Sequence, residues 1–165
     1  MEKSVFYLTH KGVIVRFEEE TNVYFNEIFA IDIKTEQKVG SVAYSIEHGE
    51  CWVWHINILP GKNEFVGKGV GCALIECLED KMLREKKATY MEGKCVPFGE
   101  HKDRSERFWR DRGYFIISEE YSHPHIFKNL MRHQTIKRCI DVSDNFELIN
   151  SYLNETQFDG SGERN

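Results

Sequence analysis

The chain has 165 residues and a formal net charge of −5, and 41% of its residues are hydrophobic while 30% are charged. These values are typical of one globular domain with a single core. No apolar run approaches the roughly 20 residues of a membrane span. The acidic balance disfavours a nucleic-acid binder, which is usually basic.

The N-terminal segment lacks the basic, apolar and small-residue succession of a signal peptide, so we expect a cytoplasmic protein without membrane association. Strand patterns then dominate as far as Pro60. Runs of β-branched and aromatic residues predict strands at Gly12–Glu20, Asn22–Ile33, Val39–Glu47 and Cys51–Leu59. The short link after Glu47 predicts a hairpin between the last two strands. Almost no room is left for a helix between the first two.

A helix is predicted after this antiparallel meander. Its apolar residues recur at helical spacing, at Val70, Ala73, Leu74, Cys77, Leu78 and Met82. Glu76, Glu79 and Lys81 are expected on the opposite, solvent-facing side. The strand pattern of Ala88–Val96 follows, which predicts a right-handed crossover between two neighbouring strands.

The next part of the chain predicts a second helix and two strands. Phe108 and Trp109 are expected on the buried face of this helix, and Gly113 just past its end. Strands are then predicted at Tyr114–Tyr121 and His125–Leu130, with a turn-like Ser-His-Pro sequence between them.

A short helix is predicted within Asp141–Glu155, ahead of a polar, glycine-containing tail. We therefore divide the chain into a domain at residues 1–132 and a C-terminal helical extension with a flexible tail at residues 133–165. The order of elements predicts an α/β (α+β) fold with a mixed, mostly antiparallel sheet and flanking helices.

The cysteines are odd in number, and no two form a Cys-x-x-Cys pair. This pattern argues against a disulfide framework and against a zinc site. We therefore predict no metal and mainly buried, reduced side chains. The cysteines are Cys51, Cys72, Cys77, Cys95 and Cys139.

Three glycines, Gly67, Gly69 and Gly71, lie at the start of the first helix. A helix begins with unpaired N–H groups and a partial positive charge, and residues without a Cβ let a bulky anion approach closely. With Lys68 nearby, the segment predicts a pyrophosphate site. The alternative is a tight turn that packs the helix against a strand. The segment matches neither a Walker P-loop nor a dinucleotide-binding fingerprint.

Two motifs in this order resemble the GNAT superfamily of N-acetyltransferases. The window Val66–Gly71 resembles the family's Gln/Arg-x-x-Gly-x-Gly/Ala turn. Phe108–Tyr114 resembles its helix that ends in an aromatic pair, followed by glycine and an aromatic residue. His125–Leu130 resembles the closing strand of the family. The resemblance covers Val39–Leu130 and implies a splayed central strand pair.

The resemblance implies acetyl-CoA or a related acyl-CoA as a cosubstrate. Backbone amides of the glycine turn would hold the pyrophosphate, at Val66, Gly67, Lys68, Gly69, Val70, Gly71 and Cys72. A splayed strand at Ile56, Asn57 and Ile58 would hold the pantetheine arm through unpaired backbone groups. Phe108 and Trp109 would pack against the cofactor.

The implied reaction is direct attack of a primary amine on the thioester, which transfers the acetyl group from acetyl-CoA. The amine substrate is open between a small molecule and a peptide or protein. GNAT relatives are often dimers, so a homodimer is one expectation. The alternative is a CoA-binding or interaction protein on the same fold, with weak or no catalysis.

Candidate catalytic residues follow from the implied reaction. His55 and Glu92 are candidates for the base that accepts the amine proton, and structural or surface roles are their alternatives. The family often has Tyr at the second position of the aromatic pair, where it protonates the leaving thiolate. This chain has Trp109 there, so water and Tyr114 become the candidate acids. Val66 likewise replaces the family's Gln or Arg.

Overall fold

A nine-stranded mixed sheet and three helices occupy the residues that the computed structural model describes, which are 5–95, 102–119, 122–133 and 137–155. The strands are β1 (Tyr7–Leu8), β2 (Ile14–Thr21), β3 (Asn26–Asp32), β4 (Gln37–Glu47), β5 (Glu50–Ile58), β6 (Tyr90–Lys94), β7 (Phe115–Glu119), β8 (Ser122–Asn129) and β9 (Ile140–Asp141). The helices are α1 (Val70–Arg84), α2 (Lys102–Asp111) and α3 (Phe146–Asn154). The spatial order β7-β8-β6-β5-β4-β3-β2-β1-β9 confirms the predicted mixed, mostly antiparallel α/β fold. Every helix within these ranges is too short or too polar to cross a membrane.

Strands β2 to β5 form the predicted antiparallel meander. His48 and Gly49 join β4 to β5, and their φ angles are 51° and 78°. Two successive positive φ angles are characteristic of a type I′ turn, whose twist matches that of the strands it connects. Only residues 22–25 link β2 to β3, so no helix is inserted there, as predicted.

Helix α1 connects the parallel strands β5 and β6, which confirms the predicted crossover. Its apolar stripe packs against β3, β4 and β5. Gly40 of β4 allows the helix to approach closely, because a Cβ there would lie 2.9 Å from Val70 Cγ1 and 3.1 Å from the Asn57 carbonyl oxygen. The crossover fixes the start of α1 over the end of β5.

Glu76 and Glu79 of α1 are buried, so the prediction that they face solvent is wrong. The Glu79 carboxylate accepts hydrogen bonds from Lys128 Nζ and Tyr114 Oη, each at 2.8 Å. Glu76 accepts hydrogen bonds from two backbone N–H groups in the segment before β9. Buried carboxylates are tolerated when they are hydrogen-bonded in this way.

The Ser-His-Pro sequence that was predicted as a turn belongs to β8, so this prediction is wrong. The Pro124 carbonyl accepts a hydrogen bond from the Cys95 N–H at 2.7 Å, and β8 pairs with β6 and β7. The register of β7 and β8 shifts between Ile117 and Glu119, beside the proline. A proline is tolerated at such an irregularity, because it has no N–H to donate to the ladder.

The C-terminal segment extends the far edge of the sheet. Strand β9 pairs with β1, and α3 packs Ile149 against Ile14 and Ile33. The predicted helix is therefore confirmed, and Asn145 caps it by accepting a hydrogen bond from the Leu148 N–H. The division after residue 132 stays a prediction, and the predicted flexible tail lies outside the described residues.

Candidate functional site

Strands β5 and β6 separate before β5 ends. Their parallel pairing joins Glu50–Val53 to Tyr90–Gly93, and none of the described residues pairs with Trp54–Ile58 on that side of β5. We call this opening the fork. A fork between two central strands leaves backbone groups that a bound molecule can pair with.

Two local features lie where the strands part. The register of β4 and β5 shifts between Ala43 and Tyr44, which leaves Trp54 as the extra residue of a β-bulge. Such a bulge bends its strand and increases the local twist. At the point of separation, a Cβ on Gly93 would lie 2.7 Å from the Val53 carbonyl oxygen, so glycine is needed where the two strands meet.

Backbone groups of β5 point into the fork. The Leu59 N–H donates to the Val39 carbonyl of the β4 side at 2.9 Å, and such pairs alternate along an antiparallel ladder. The N–H and C=O groups of Ile56 and Ile58 therefore point away from β4, toward the side from which β6 has separated. An extended amide chain could pair with them as an added strand does.

The glycine turn leads from the fork into α1. Gly67 and Gly69 have φ angles of 74° and 84°, and Gly69 is the N-cap of α1. Such angles favour glycine because a Cβ would clash with the backbone. Several N–H groups of the turn have no hydrogen-bond acceptor among the described residues, namely those of Gly67, Gly69, Val70, Gly71 and Cys72. Unpaired N–H groups at the positive end of a helix suit a bound anion.

The turn between β1 and β2 packs against the glycine turn, which the sequence analysis missed. Thr9 Oγ1 donates to the Lys68 carbonyl at 2.7 Å, and a Cβ on Gly69 would lie 3.0 Å from His10 Nδ1. Burial and the nearby charge of Arg138 lower the pKa of His10, which favours its neutral form. No local pattern marks these contacts, because Thr9 and His10 are distant from the glycine turn in sequence.

Ile56, Gly71 and Phe108 meet where the fork reaches α1. A Cβ on Gly71 would lie 3.5 Å from Phe108 Cε2 and 4.0 Å from Ile56 Cδ1. Trp109 is 5% exposed and packs edge-on against Phe108 and Tyr114, with ring centroids 5.1 Å and 4.8 Å away. The structure therefore brings Phe108 to the glycine turn and places Trp109 in the core.

His55 and Asn57 lie on the opposite face of β5 from Ile56 and Ile58, because side chains alternate along a strand. A nitrogen of the Asn57 amide is 3.1 Å from His55 Nδ1, and the Phe25 ring lies edge-on to the imidazole. His55 is exposed. The imidazole can thus be reached from the open face of the sheet beside the fork.

Glu92 lies on the same face of the sheet as His55. It is aligned with Trp52 across the β5–β6 pairing, and the β4–β5 register places Trp52 on the same face as His55. Glu92 Oε1 is 3.5 Å from His125 Nε2. Burial and a hydrogen bond to Glu50 raise the pKa of Glu92, so its carboxyl keeps a proton to higher pH than an exposed one.

Tyr114 is buried, and its hydroxyl donates to Glu79 at 2.8 Å. Burial and the charge of Glu79 raise the pKa of this hydroxyl well above its usual range. The structure therefore groups Tyr114 with the buried ion pair of Glu79 and Lys128. It does not bring the Tyr114 side chain together with His55 and Glu92.

The fold is matched by solved structures. PaiA N-acetyltransferase from Thermoplasma acidophilum, in complex with coenzyme A, is similar with a TM-score of 0.52 and 16% identity, over 62% of this chain and 59% of that chain. A Desulfovibrio desulfuricans protein described as an acetyltransferase of the GNAT family is similar with a TM-score of 0.52 and 14% identity, over 64% and 69%. An acetyltransferase from Streptococcus agalactiae is similar with a TM-score of 0.50 and 21% identity, over 64% and 67%.

The chain has the GNAT fold. At these identities the similarity is one of fold, and the match spans about three-fifths of the Thermoplasma acidophilum chain, 59%. No protein-family model and no curated protein sequence matches the chain.

A single 3₁₀ turn, Asn63–Phe65, lies in the connection between β5 and the glycine turn. Val66 follows with 47% of its surface exposed and offers no polar side-chain group. Around position 66, the glycine turn therefore presents backbone N–H groups and no polar side chain from Val66.

Proposed function

We propose that the protein is an acyl-CoA-dependent N-acyltransferase, which moves an acetyl group from acetyl-CoA to a primary amine. The main support is the fork between β5 and β6, which leads to the unpaired N–H groups of the glycine turn. The fork suits an extended chain of amides, and the unpaired N–H groups suit a diphosphate. The proposed amine is carried by a small molecule, a peptide or a protein, and the protein acts in the cytoplasm as a monomer or homodimer.

In the proposed complex, the CoA diphosphate lies against the unpaired N–H groups of Gly67, Gly69, Val70, Gly71 and Cys72. The N–H groups of Val66 and Lys68, which the resemblance also implied, donate instead to the carbonyls of Asn63 and Phe65. Lys68 is exposed and adds a positive charge beside the diphosphate. The pantetheine amides pair with the backbone groups of Ile56 and Ile58, and the Phe108 ring packs against the arm. Asn57 lies between these two residues on the strand, but its side chain is on the opposite face of the sheet.

The proposed reaction is a single displacement at the thioester. The amine nitrogen attacks the acyl carbon, the new C–N bond forms, and the C–S bond breaks. A β5 N–H in the fork donates to the carbonyl oxygen as negative charge develops on it. The amine proton passes to a base, and CoA leaves as a thiolate that takes a proton from solvent.

We propose His55 as the base, because it is exposed beside the fork, with Glu92 on the same face of β6 as the second candidate. Neutral imidazole accepts a proton near physiological pH. The Asn57 amide can rotate to present its oxygen to Nδ1–H, which leaves the lone pair on Nε2. Because the pKa of Glu92 is raised, its carboxyl can exchange a proton at a higher pH than an exposed carboxyl does.

His55→Ala should lower kcat/KM at pH 7 on the order of 100-fold, the range found for loss of a positioned base. Initial rates of CoA release at pH 7 measure this loss. His48→Ala is the matched control, since His48 is exposed in the β4–β5 turn. An unchanged kcat/KM in His55→Ala would exclude His55 as the base.

Tyr114→Phe tests whether the leaving thiolate takes its proton from Tyr114. We expect a loss of about 1–2 kcal/mol in the free energy of unfolding, because Glu79 loses one donor. We expect kcat to change less than about threefold, since solvent supplies the proton. Urea unfolding and steady-state rates measure the two effects. If kcat fell far more than the folded fraction, the Tyr114 hydroxyl would be the acid that protonates the thiolate.

The proposal is tested by calorimetric titration with acetyl-CoA and CoA, followed by thiol release with a panel of primary amines. We expect binding of both cofactors and release with at least one amine class. Absence of both heat and thermal shift would refute the proposal. Tight binding without thiol release from any amine would support a CoA-binding protein without catalysis, which the burial of Trp109 and Tyr114 favours as the second candidate.

A further inference from the structure

Two cysteine side chains lie beside the glycine turn and have no part in the proposed reaction. Cys72 is in the first turn of α1, Glu76 follows one turn later, and Cys139 lies just before β9. The two sulfur atoms and one Glu76 carboxylate oxygen lie within 4.8 Å of one another. Both cysteines carry free thiols in this structure.

Glu76 holds Cys139 in this position. Its carboxylate accepts a hydrogen bond from the Arg138 N–H and another from the Cys139 N–H, the latter at 3.1 Å. Glu76 is 6% exposed and belongs to a helix that is packed against the sheet. The segment before β9 is therefore tied to α1 through backbone hydrogen bonds.

The surroundings of Cys72 favour its thiolate. Interaction with the Cys139 thiol and the nearby charges of Arg112 and Arg138 lower the pKa of Cys72, against the opposing effects of burial and of the Glu76 charge. Arg112 Nη1 also donates to Cys72 Sγ. Interaction with Cys72, burial and the Glu76 carboxylate raise the pKa of Cys139. The pair thus combines a nucleophilic sulfur with an adjacent protonated thiol.

We propose that Cys72 and Cys139 form a redox-active dithiol that a hydroperoxide converts to an intramolecular disulfide. The Cys72 thiolate attacks the peroxide oxygen, the O–O bond breaks, and the alkoxide or hydroxide takes a proton from solvent. This leaves a sulfenic acid on Cys72. Cys139 then attacks that sulfur, and its proton leaves with the hydroxyl as water. The two cysteines together lose two electrons, which reduce the peroxide.

The geometry allows the bond to close. A disulfide needs a sulfur separation of about 2.05 Å, so the two sulfurs must move together by no more than about 2.8 Å. Cys72 is fixed in α1, whereas Cys139 lies in irregular backbone next to the short strand β9 and is partly exposed. Closure would join the segment that carries β9 and α3 covalently to the helix of the glycine turn. The guanidinium of Arg112 contacts Cys72, and its positive charge would repel a cation bound by Cys72, Glu76 and Cys139. This arrangement therefore favours thiol oxidation over metal binding.

The test uses the full chain, reduced and then treated with a small excess of hydrogen peroxide at pH 7. Thiols are counted after denaturation, and cross-linked peptides are identified by mass spectrometry. The wild type should lose two of its five thiols and yield a Cys72–Cys139 peptide. Cys139→Ser should lose one thiol and become reactive toward dimedone, which marks a sulfenic acid. Cys77→Ser, on the same helix, is the matched control and should lose two thiols as the wild type does.

Arg112→Gln provides a second, independent readout. Without the guanidinium, the thiolate fraction of Cys72 at pH 7 should fall about tenfold for each unit by which its pKa rises. The rate of peroxide-driven thiol loss should fall with it and recover at higher pH. The proposal is overturned if oxidation joins other cysteines or separate chains, or if no thiol is lost. It is also overturned if the purified protein holds stoichiometric zinc that Cys72→Ser and Cys139→Ser each abolish.

Discussion

Gly71→Glu should weaken CoA binding about 100- to 1,000-fold. The new carboxylate would lie among the unpaired N–H groups of the glycine turn and repel the diphosphate. Two like charges about 4 Å apart at a protein surface repel by about 4 kcal/mol, and each 1.4 kcal/mol changes Kd about tenfold. The fold should survive, because Gly71 has no positive φ and a Cβ there would make an ordinary contact of 3.5 Å with Phe108.

Leu83→Glu is the matched control for this experiment. It adds the same charge to the same helix, but near its other end, where Leu83 is 42% exposed. Calorimetric titration should give a Kd for CoA within about threefold of wild type for Leu83→Glu and Gly71→Ala. Circular dichroism confirms that each variant is folded. If Gly71→Glu binds CoA as Gly71→Ala does, the glycine turn only packs the helix against the sheet.

Lys128→Met should lower the free energy of unfolding by about 3–5 kcal/mol. Lys128 has no exposed surface, and its Nζ donates to Glu79 Oε1 at 2.8 Å and to the Arg112 carbonyl at 2.7 Å. Removing one partner of a buried ion pair leaves the other charge in a poorly solvated site. Methionine preserves most of the volume, so the expected loss arises mainly from electrostatics and hydrogen bonding. Urea unfolding monitored by tryptophan fluorescence measures it.

The double variant Lys128→Met, Glu79→Gln separates charge from packing. Neutralising Glu79 removes the buried carboxylate charge while keeping an oxygen for Tyr114, so much of the lost stability should return. Arg84→Met is the control for an exposed pair, since Arg84 and Asp80 are 65% and 39% exposed in their side chains. It should change stability by less than about 1 kcal/mol. A loss of less than 1 kcal/mol in Lys128→Met would show that the buried pair is energetically neutral.

The helices and strands with periodic apolar patterns could be predicted because each pattern arises from residues that are close together in the chain. The α1 stripe and the alternating strands record which side of each element meets the core. The His48–Gly49 turn is similarly encoded by a short link with a glycine. The two motifs that resemble the GNAT superfamily were recognisable because they lie in short windows of the chain.

The prediction that Glu76 and Glu79 face solvent failed for a different reason. Charged residues at helical positions usually face solvent, and the sequence around α1 offers no sign of an exception. Their partners, Lys128 and the N–H groups before β9, come from elements far along the chain. Thr9 is also far from the glycine turn in sequence, so its contact with that turn could not be predicted. Local patterns carry no record of such partners.

The sequence by itself determined the strands of the meander, the α1 crossover, the position of the glycine turn and the resemblance to GNAT acetyltransferases. Only the tertiary structure decided where β5 and β6 part, which N–H groups stay unpaired, and which buried charges compensate one another. The physical reason is that helix and strand patterns arise from contacts among near neighbours in the chain. The fork, the turn's packing and the cysteine pair instead depend on distances between segments that only folding brings together.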